Sequence, residues 1–238
     1  MDNIVRARRY LMQCERVLVI TGAGISAASG IPTFEGAGER WKNMHVRNLA
    51  GVDAFGKDPR LVWDWYLYRR SIAATAAPNA AHEALAGYAR SHPGLTLVTQ
   101  NVDGLHEAAG HPDVVRIHGS LWHNRCTQCG REREERSLAY IELPRSPCCQ
   151  ALERPVIVWF GERSAEADVK RAVEAAFEAE IVITIGTSGK VNTANQLVAI
   201  AIARYAEVYD INLERSKINA HGRLFGAANE IVPQLLAA

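Results

Sequence analysis

Short apolar runs recur along the chain at 16–21, 95–99, 114–117, 181–185 and 207–211. All but the last, Glu-Val-Tyr-Asp-Ile, are built mainly from Val, Ile and Leu, and each is short enough to read as a buried strand. Between several of them, at 80–90, 165–179 and 193–205, the pattern changes to that of helices. Strand and helix in alternation predict an α/β fold, a doubly wound parallel sheet with helices on both faces. Two stretches interrupt the alternation. Residues 36–70 look helical and aromatic-rich, whereas 121–154 carry cysteines and many charges. The expected organisation is one domain from 1–35, 71–120 and 155–238, with a smaller lobe assembled from the insertions 36–70 and 121–154.

Composition narrows the function classes. With 238 residues, 48% of them hydrophobic, the chain can bury a sizeable core. A formal net charge of +1 gives no electrostatic reason to expect nucleic acid or an anionic membrane as partner. No long apolar stretch opens the sequence, so a soluble, cytoplasmic protein is expected. Four of the five cysteines fall between Cys126 and Cys149, which suits a metal cluster in a reducing compartment better than a disulfide framework. Nothing in the sequence fixes an oligomeric state.

Candidate chemistry gathers where the predicted strands end. After 16–21 comes Gly22-Ala-Gly-Ile-Ser26, a turn whose glycines let backbone approach a ligand and whose following helix would offer N–H groups to a phosphate. The usual hydride-transfer fingerprint is not met, because Ala27 stands where the third glycine belongs. After 95–99 comes Gln100-Asn-Val-Asp-Gly-Leu-His106, whose polar side chains can bind an amide and ribose hydroxyls or simply cap a helix. His118 and Gly119 follow the third strand, and Gly186-Thr-Ser188 the fourth.

Together with Gly30-Ile-Pro-Thr-Phe34, Cys126-x-x-Cys129, Val158-Trp-Phe-Gly-Glu162 and Ile211-Asn212, these pieces resemble the sirtuins, NAD-dependent protein-lysine deacylases, in the family's order and over most of the chain. The resemblance implies a Rossmann-like NAD-binding domain with a zinc-ribbon-like module in the small lobe. It assigns the dinucleotide to Gly22, Ala23, Gly24, Ser26, Thr33, Phe34, Gln100, Asn101, Asp103, Gly186, Thr187, Ser188 and Asn212. His118, with Asn101, would be catalytic, His118 serving as general base on a ribose hydroxyl. An acyl-lysine protein or peptide would pair as a strand with Val158, Trp159, Phe160 and Gly161. The implied products are free lysine, nicotinamide and acyl-ADP-ribose.

Tyr66 and Arg69 match the Tyr-x-x-Arg motif of the subgroup that prefers acidic acyl chains, and Ala50 would leave room for a longer chain. Succinyl-, malonyl- or glutaryl-lysine is therefore the expected substrate class, the alternative being a solvated helix face carrying Arg69 and Arg70. Two positions depart from the family. Glu35 replaces the usual Arg, and an anion there would repel phosphate. In the metal module Ser146 stands where a cysteine is expected, leaving Cys126, Cys129 and Cys149 with an extra Cys148. Either Cys148 joins a structural zinc site, or three thiolates are completed by water or a side chain such as His123. Rival functions are an NAD glycohydrolase or ADP-ribosyltransferase, and a catalytically weak NAD- or ADP-ribose-binding module.

Overall fold

In a computed structural model, which describes residues 3–33 and 40–237, six parallel strands form the central sheet. They are β1 (Val17–Thr21), β4 (Leu95–Thr99), β5 (Val115–Arg116), β9 (Ile181–Ile185), β10 (Glu207–Asn212) and β11 (Gly222–Phe225), in the order β11-β10-β9-β1-β4-β5. β1 aligns residue for residue with β4 on one side and β9 on the other. From β1 the chain winds outward through β4 and β5, and from β9 outward through β10 and β11. The direction therefore reverses between β1 and β9, and the crevice above their carboxyl ends is where such sheets bind ligands. Phe34 and Glu35 lie outside the described residues.

Period-two alternation sends the side chains of β1 into two cores. Val17 and Val19 pack against α1 (Asn3–Leu11), α4 (Ala80–Ser91) and α8 (Ala228–Leu236), while Leu18 and Ile20 meet α6 (Glu166–Glu178) and α7 (Asn192–Ala203). Leu18 and Ile20 are fully buried, each contributing about 1.5–3 kcal/mol of transfer free energy. Several elements go beyond the sequence reading. α1 and α8 had no expected counterpart, α1 being interrupted by arginines and α8 containing Pro233. The helix expected over 193–205 stops at Ala203, because Tyr205 adopts a left-handed conformation with φ 66°. Cys14 lies beyond the end of α1, partly buried against the first core.

A third apolar cluster lies away from the parallel sheet. It joins a hairpin of β2 (Arg40–Trp41) and β3 (Met44–His45), the helices α2 (Val52–Lys57) and α3 (Pro59–Thr75), and an antiparallel sheet of β6 (Gly119–Cys126), β7 (Glu132–Glu134) and β8 (Glu153–Ile157). α3 turns Trp63, Tyr66 and Arg70 inward from one face, and all three are fully buried. Arg70 donates to the Leu121 carbonyl at 2.7 Å and to Asn124 Oδ1 at 2.8 Å, so it ties α3 to β6. A short helix, α5 (Leu105–Ala108), follows the loop after β4. Among the described residues no helix is long and apolar enough to cross a membrane.

β6 begins at Gly119, whose φ is 84° and where an added Cβ would lie 2.1 Å from the Val156 carbonyl oxygen on β8. Gly30 has a similar φ of 86° with nothing within 4 Å of that position. Gly30→Ala should therefore cost only left-handed strain, about 1–2 kcal/mol. Gly119→Ala adds a backbone clash and should cost about 2–5 kcal/mol in all. Chemical denaturation of the two variants checks the difference; equal losses would show that the β6–β8 contact yields freely.

Candidate active site

The loops at the crevice are held together backbone to backbone. β1 leads into a helix, of 3-10 type, over Ala23–Ser29, closed by Gly30 in the left-handed region. The Gly22 N–H donates to Ile185 O, Gly24 N–H to Gly186 O and Gly186 N–H to Ile211 O, each at 2.9 Å. A Cβ on Gly24 would sit 2.6 Å from Gly186 Cα, so both positions require glycine before any ligand is considered. Asn212 Nδ2 donates to the Thr187 carbonyl at 2.8 Å, and Gln100 Nε2 to Thr187 Oγ1 at 2.9 Å. Gly22, Ala23, Gly24, Gly186, Thr187 and Asn212 thus form one rim, with Ser188 exposed on its outer side. Thr33 is half-buried at the end of the described loop.

Below the rim, the loop after β4 is knitted to the 3-10 helix. Asn101 Nδ2 donates to Gly22 O at 3.1 Å and Ser26 Oγ at 3.2 Å, while Ser26 Oγ donates to Asp103 Oδ2 at 2.8 Å. The other Asp103 oxygen caps α5 by accepting the Leu105 N–H at 2.9 Å. Asp103 and Ser26 are buried, so at least part of their role is to hold the loop. His118 meets this loop from the other side: its Nδ1 lies 3.2 Å from the Gln100 carbonyl oxygen. A carbonyl can only accept, so Nδ1 carries the hydrogen and Nε2 of the neutral ring keeps its lone pair. Burial lowers the pKa of His118, opposed by the Gln100 hydrogen bond, and favours that neutral ring.

Tyr66 and Arg69 sit one turn apart on α3. The Tyr66 hydroxyl accepts the indole N–H of Trp159 at 2.8 Å, and burial pushes its pKa up to about 12. Arg69 lies beside the Trp65 and Tyr66 rings, 5.4 and 5.9 Å from their centroids, and has no hydrogen bond or ion pair among the described residues. Burial lowers its pKa, against attraction from Tyr66 and Asp103. The 158–161 segment runs between His118 and Ala50, with Val158 N–H donating to His118 O and Phe160 N–H to Ala50 O, both at 3.1 Å. Ala50 is buried, Phe160 and Gly161 are exposed, and among the described residues the Val158 carbonyl and Gly161 N–H have no backbone partner.

The cysteines converge. The sulfurs of Cys126, Cys129, Cys148 and Cys149 all lie within 4.8 Å of one another, with Cys129 and Cys148 at 2.9 Å and Cys126 and Cys149 at 3.3 Å. A tetrahedron of thiolates around zinc requires sulfurs about 3.8 Å apart, so the set fits one ion. His123 belongs to β6 and is not among the four. Ser146, buried, places its hydroxyl 3.0 Å from Cys148 Sγ. The Cys126 sulfur accepts the Cys129 N–H at 3.4 Å, which pulls its pKa down to about 6, nearer the thiolate a metal needs.

The Sir2 family profile matches residues 22–193. The chain belongs to the Sir2 family. An NAD-dependent protein deacylase of Leptospira interrogans serovar Lai is 41% identical over 227 residues, 93% of this chain and 92% of that protein. One from Aquifex aeolicus is 41% identical over 208 residues, 87% of each chain. Among solved structures, a Sir2 homologue in complex with NAD superposes with a TM-score of 0.92 at 37% identity, covering 98% of this chain and 92% of that one. For this Sir2 protein the four thiols could hold zinc in a structural role. One zinc per chain is expected by atomic emission, and Cys148→Ser should lose it at a lower chelator concentration than the parent. Equal retention would remove Cys148 from the ligand set.

Proposed function

We propose that this Sir2 protein, an NAD-dependent protein deacylase like its relatives, removes acidic acyl groups such as succinyl from lysine side chains. The observation that carries the acyl preference is a pair of unused donors. The indole of Trp159 can only donate, so the Tyr66 oxygen is its acceptor and the Tyr66 hydrogen is directed elsewhere. Among the described residues it has no acceptor, and neither does Arg69 beside it. A half-buried cation with no counter-ion and a buried hydroxyl with no acceptor are both costly, and a carboxylate on the acyl chain satisfies both. Neutral acetyl satisfies neither. The small side chain of Ala50 leaves space for the additional carbons.

The remaining residues fit the transfer. The rim from Gly22 to Gly24 with Gly186, Thr187, Ser188 and Asn212 holds the dinucleotide, and Asn101 and Asp103 order the nicotinamide side. When bound, NAD supplies the ribose carbon that receives the acyl oxygen and nicotinamide as the leaving group. The Val158 carbonyl and Gly161 N–H pair with the substrate backbone and aim the acyl-lysine inward. His118 Nε2 takes a proton from a ribose hydroxyl, which needs the neutral ring.

Three experiments test this reading. Because burial lowers the His118 pKa below its usual 6.5, kcat/KM should rise with pH along a limb centred below 6.5 and be flat at neutrality. His118→Ala should lose the activity about 10²–10⁴-fold, and unchanged turnover in that variant removes His118 from the reaction. Arg69→Met should collapse the kcat/KM for a succinyl-lysine peptide while that for acetyl-lysine holds or rises. Equal losses on both peptides, or a parent enzyme that prefers acetyl-lysine, would return Tyr66 and Arg69 to a structural role.

A further inference from the structure

The contact between Trp159 and Tyr66 links the segment at 158–161 to the acyl pocket, and it is anchored with unusual redundancy. Trp159 is 2% exposed. Its backbone N–H donates to Glu162 Oε2 at 2.9 Å, its ring lies 3.3 Å beneath the Arg154 guanidinium, and Phe55 packs against it at 5.5 Å between centroids. Arg154 in turn donates to both oxygens of Glu162, at 2.6 and 2.9 Å, and to the Ile157 carbonyl at 2.9 Å. The indole therefore has one orientation, and its N–H ends on the Tyr66 oxygen at 2.8 Å.

A phenol hydrogen lies in the plane of its ring, because an oxygen lone pair conjugates with the ring, so a tyrosine O–H has two preferred directions. A donor arriving on one side closes that direction and leaves the other. Without Trp159, the Tyr66 hydroxyl would be free to turn and to spend its hydrogen outside the pocket. We infer that Trp159, clamped by Arg154 and Glu162, is a positioning residue for acyl selectivity: its indole N–H fixes the Tyr66 hydroxyl as a donor toward the acyl chain. This rests on the acidic-acyl reading. It extends that reading from the two residues that touch the carboxylate to a third that does not.

The test compares kcat/KM for succinyl- and acetyl-lysine peptides in the parent, Trp159→Phe, Tyr66→Phe and the double variant. Trp159→Phe removes the N–H while keeping an aromatic ring, and should lower the succinyl-to-acetyl ratio about three- to tenfold, the size expected for one buried hydrogen bond. The loss should appear mainly in the KM for the succinyl peptide. In the Tyr66→Phe background, where there is no hydroxyl to orient, the same change should leave the ratio nearly constant. If Trp159→Phe does not fold, replacing Trp159 by 3-benzothienylalanine puts sulfur in place of N–H within the same ring frame. Displacement of the 158–161 segment would lower both peptides together and leave the ratio unchanged, which overturns the inference. An equal fall in ratio with and without the Tyr66 hydroxyl overturns it too. A parent enzyme with no preference for succinyl-lysine overturns both the inference and the acidic-acyl reading, whereas a succinyl-preferring parent with an unaltered ratio in Trp159→Phe overturns the inference alone.

Discussion

The constraint on which the crevice depends is the meeting of Gly24 and Gly186, where the turn after β1 and the turn after β9 touch through their backbones. Side chains are excluded from this contact, so it tolerates little adjustment. Once it is made, the hydrogen bond from Gly186 to Ile211 brings the end of β10 alongside, and Asn212 closes the row on Thr187. The register of three strands and the shape of the rim above them thus follow from two residues without a Cβ. The crevice therefore has a floor of backbone that is already in place.

The smaller lobe is organised differently, around buried cations. Arg70 is fully buried yet spends its donors on carbonyl and amide oxygens of β6 and on Tyr140, with no carboxylate as partner among the described residues. Burial lowers its pKa, but an arginine remains charged, so each of these neutral acceptors offsets part of a large desolvation cost. Arg154 is paired instead with Glu162 through its two terminal nitrogens, and its side chain is 8% exposed. Hydrophobic contact gathers this lobe, while the two arginines specify how its helices and strands are oriented.

Sequence reasoning reached the parallel sheet readily, since strands buried on both faces leave uninterrupted apolar runs and β4 and β9 fall where those runs lie. It was less successful with β11 and α8, where a short strand containing Arg223 and a helix containing Pro233 break the local rules and are held by packing against β10 and the first core. The loops at the strand ends stood out as candidates because their residue types are unusual for ordinary turns. Their grip on one another was not legible, because it depends on which strands become neighbours. Arg70 was legible only as a charge, and long charged side chains usually face water. Equally, no spacing rule links Tyr66 to Trp159, which are 93 residues apart. At the metal module the sequence left open whether Cys148 or some other group completes the set, and the fold brings its sulfur beside the other three.

His118 is fastened at two points to different parts of the molecule. Its ring bonds to the Gln100 carbonyl above the parallel sheet, and its own carbonyl receives the Val158 N–H from the segment after β8. Relative motion of the two parts would have to pivot close to this residue or break one of those bonds. A pivot there has a mechanical advantage: displacement grows with distance from the axis, so the imidazole would translate less than any part of the molecule farther from it.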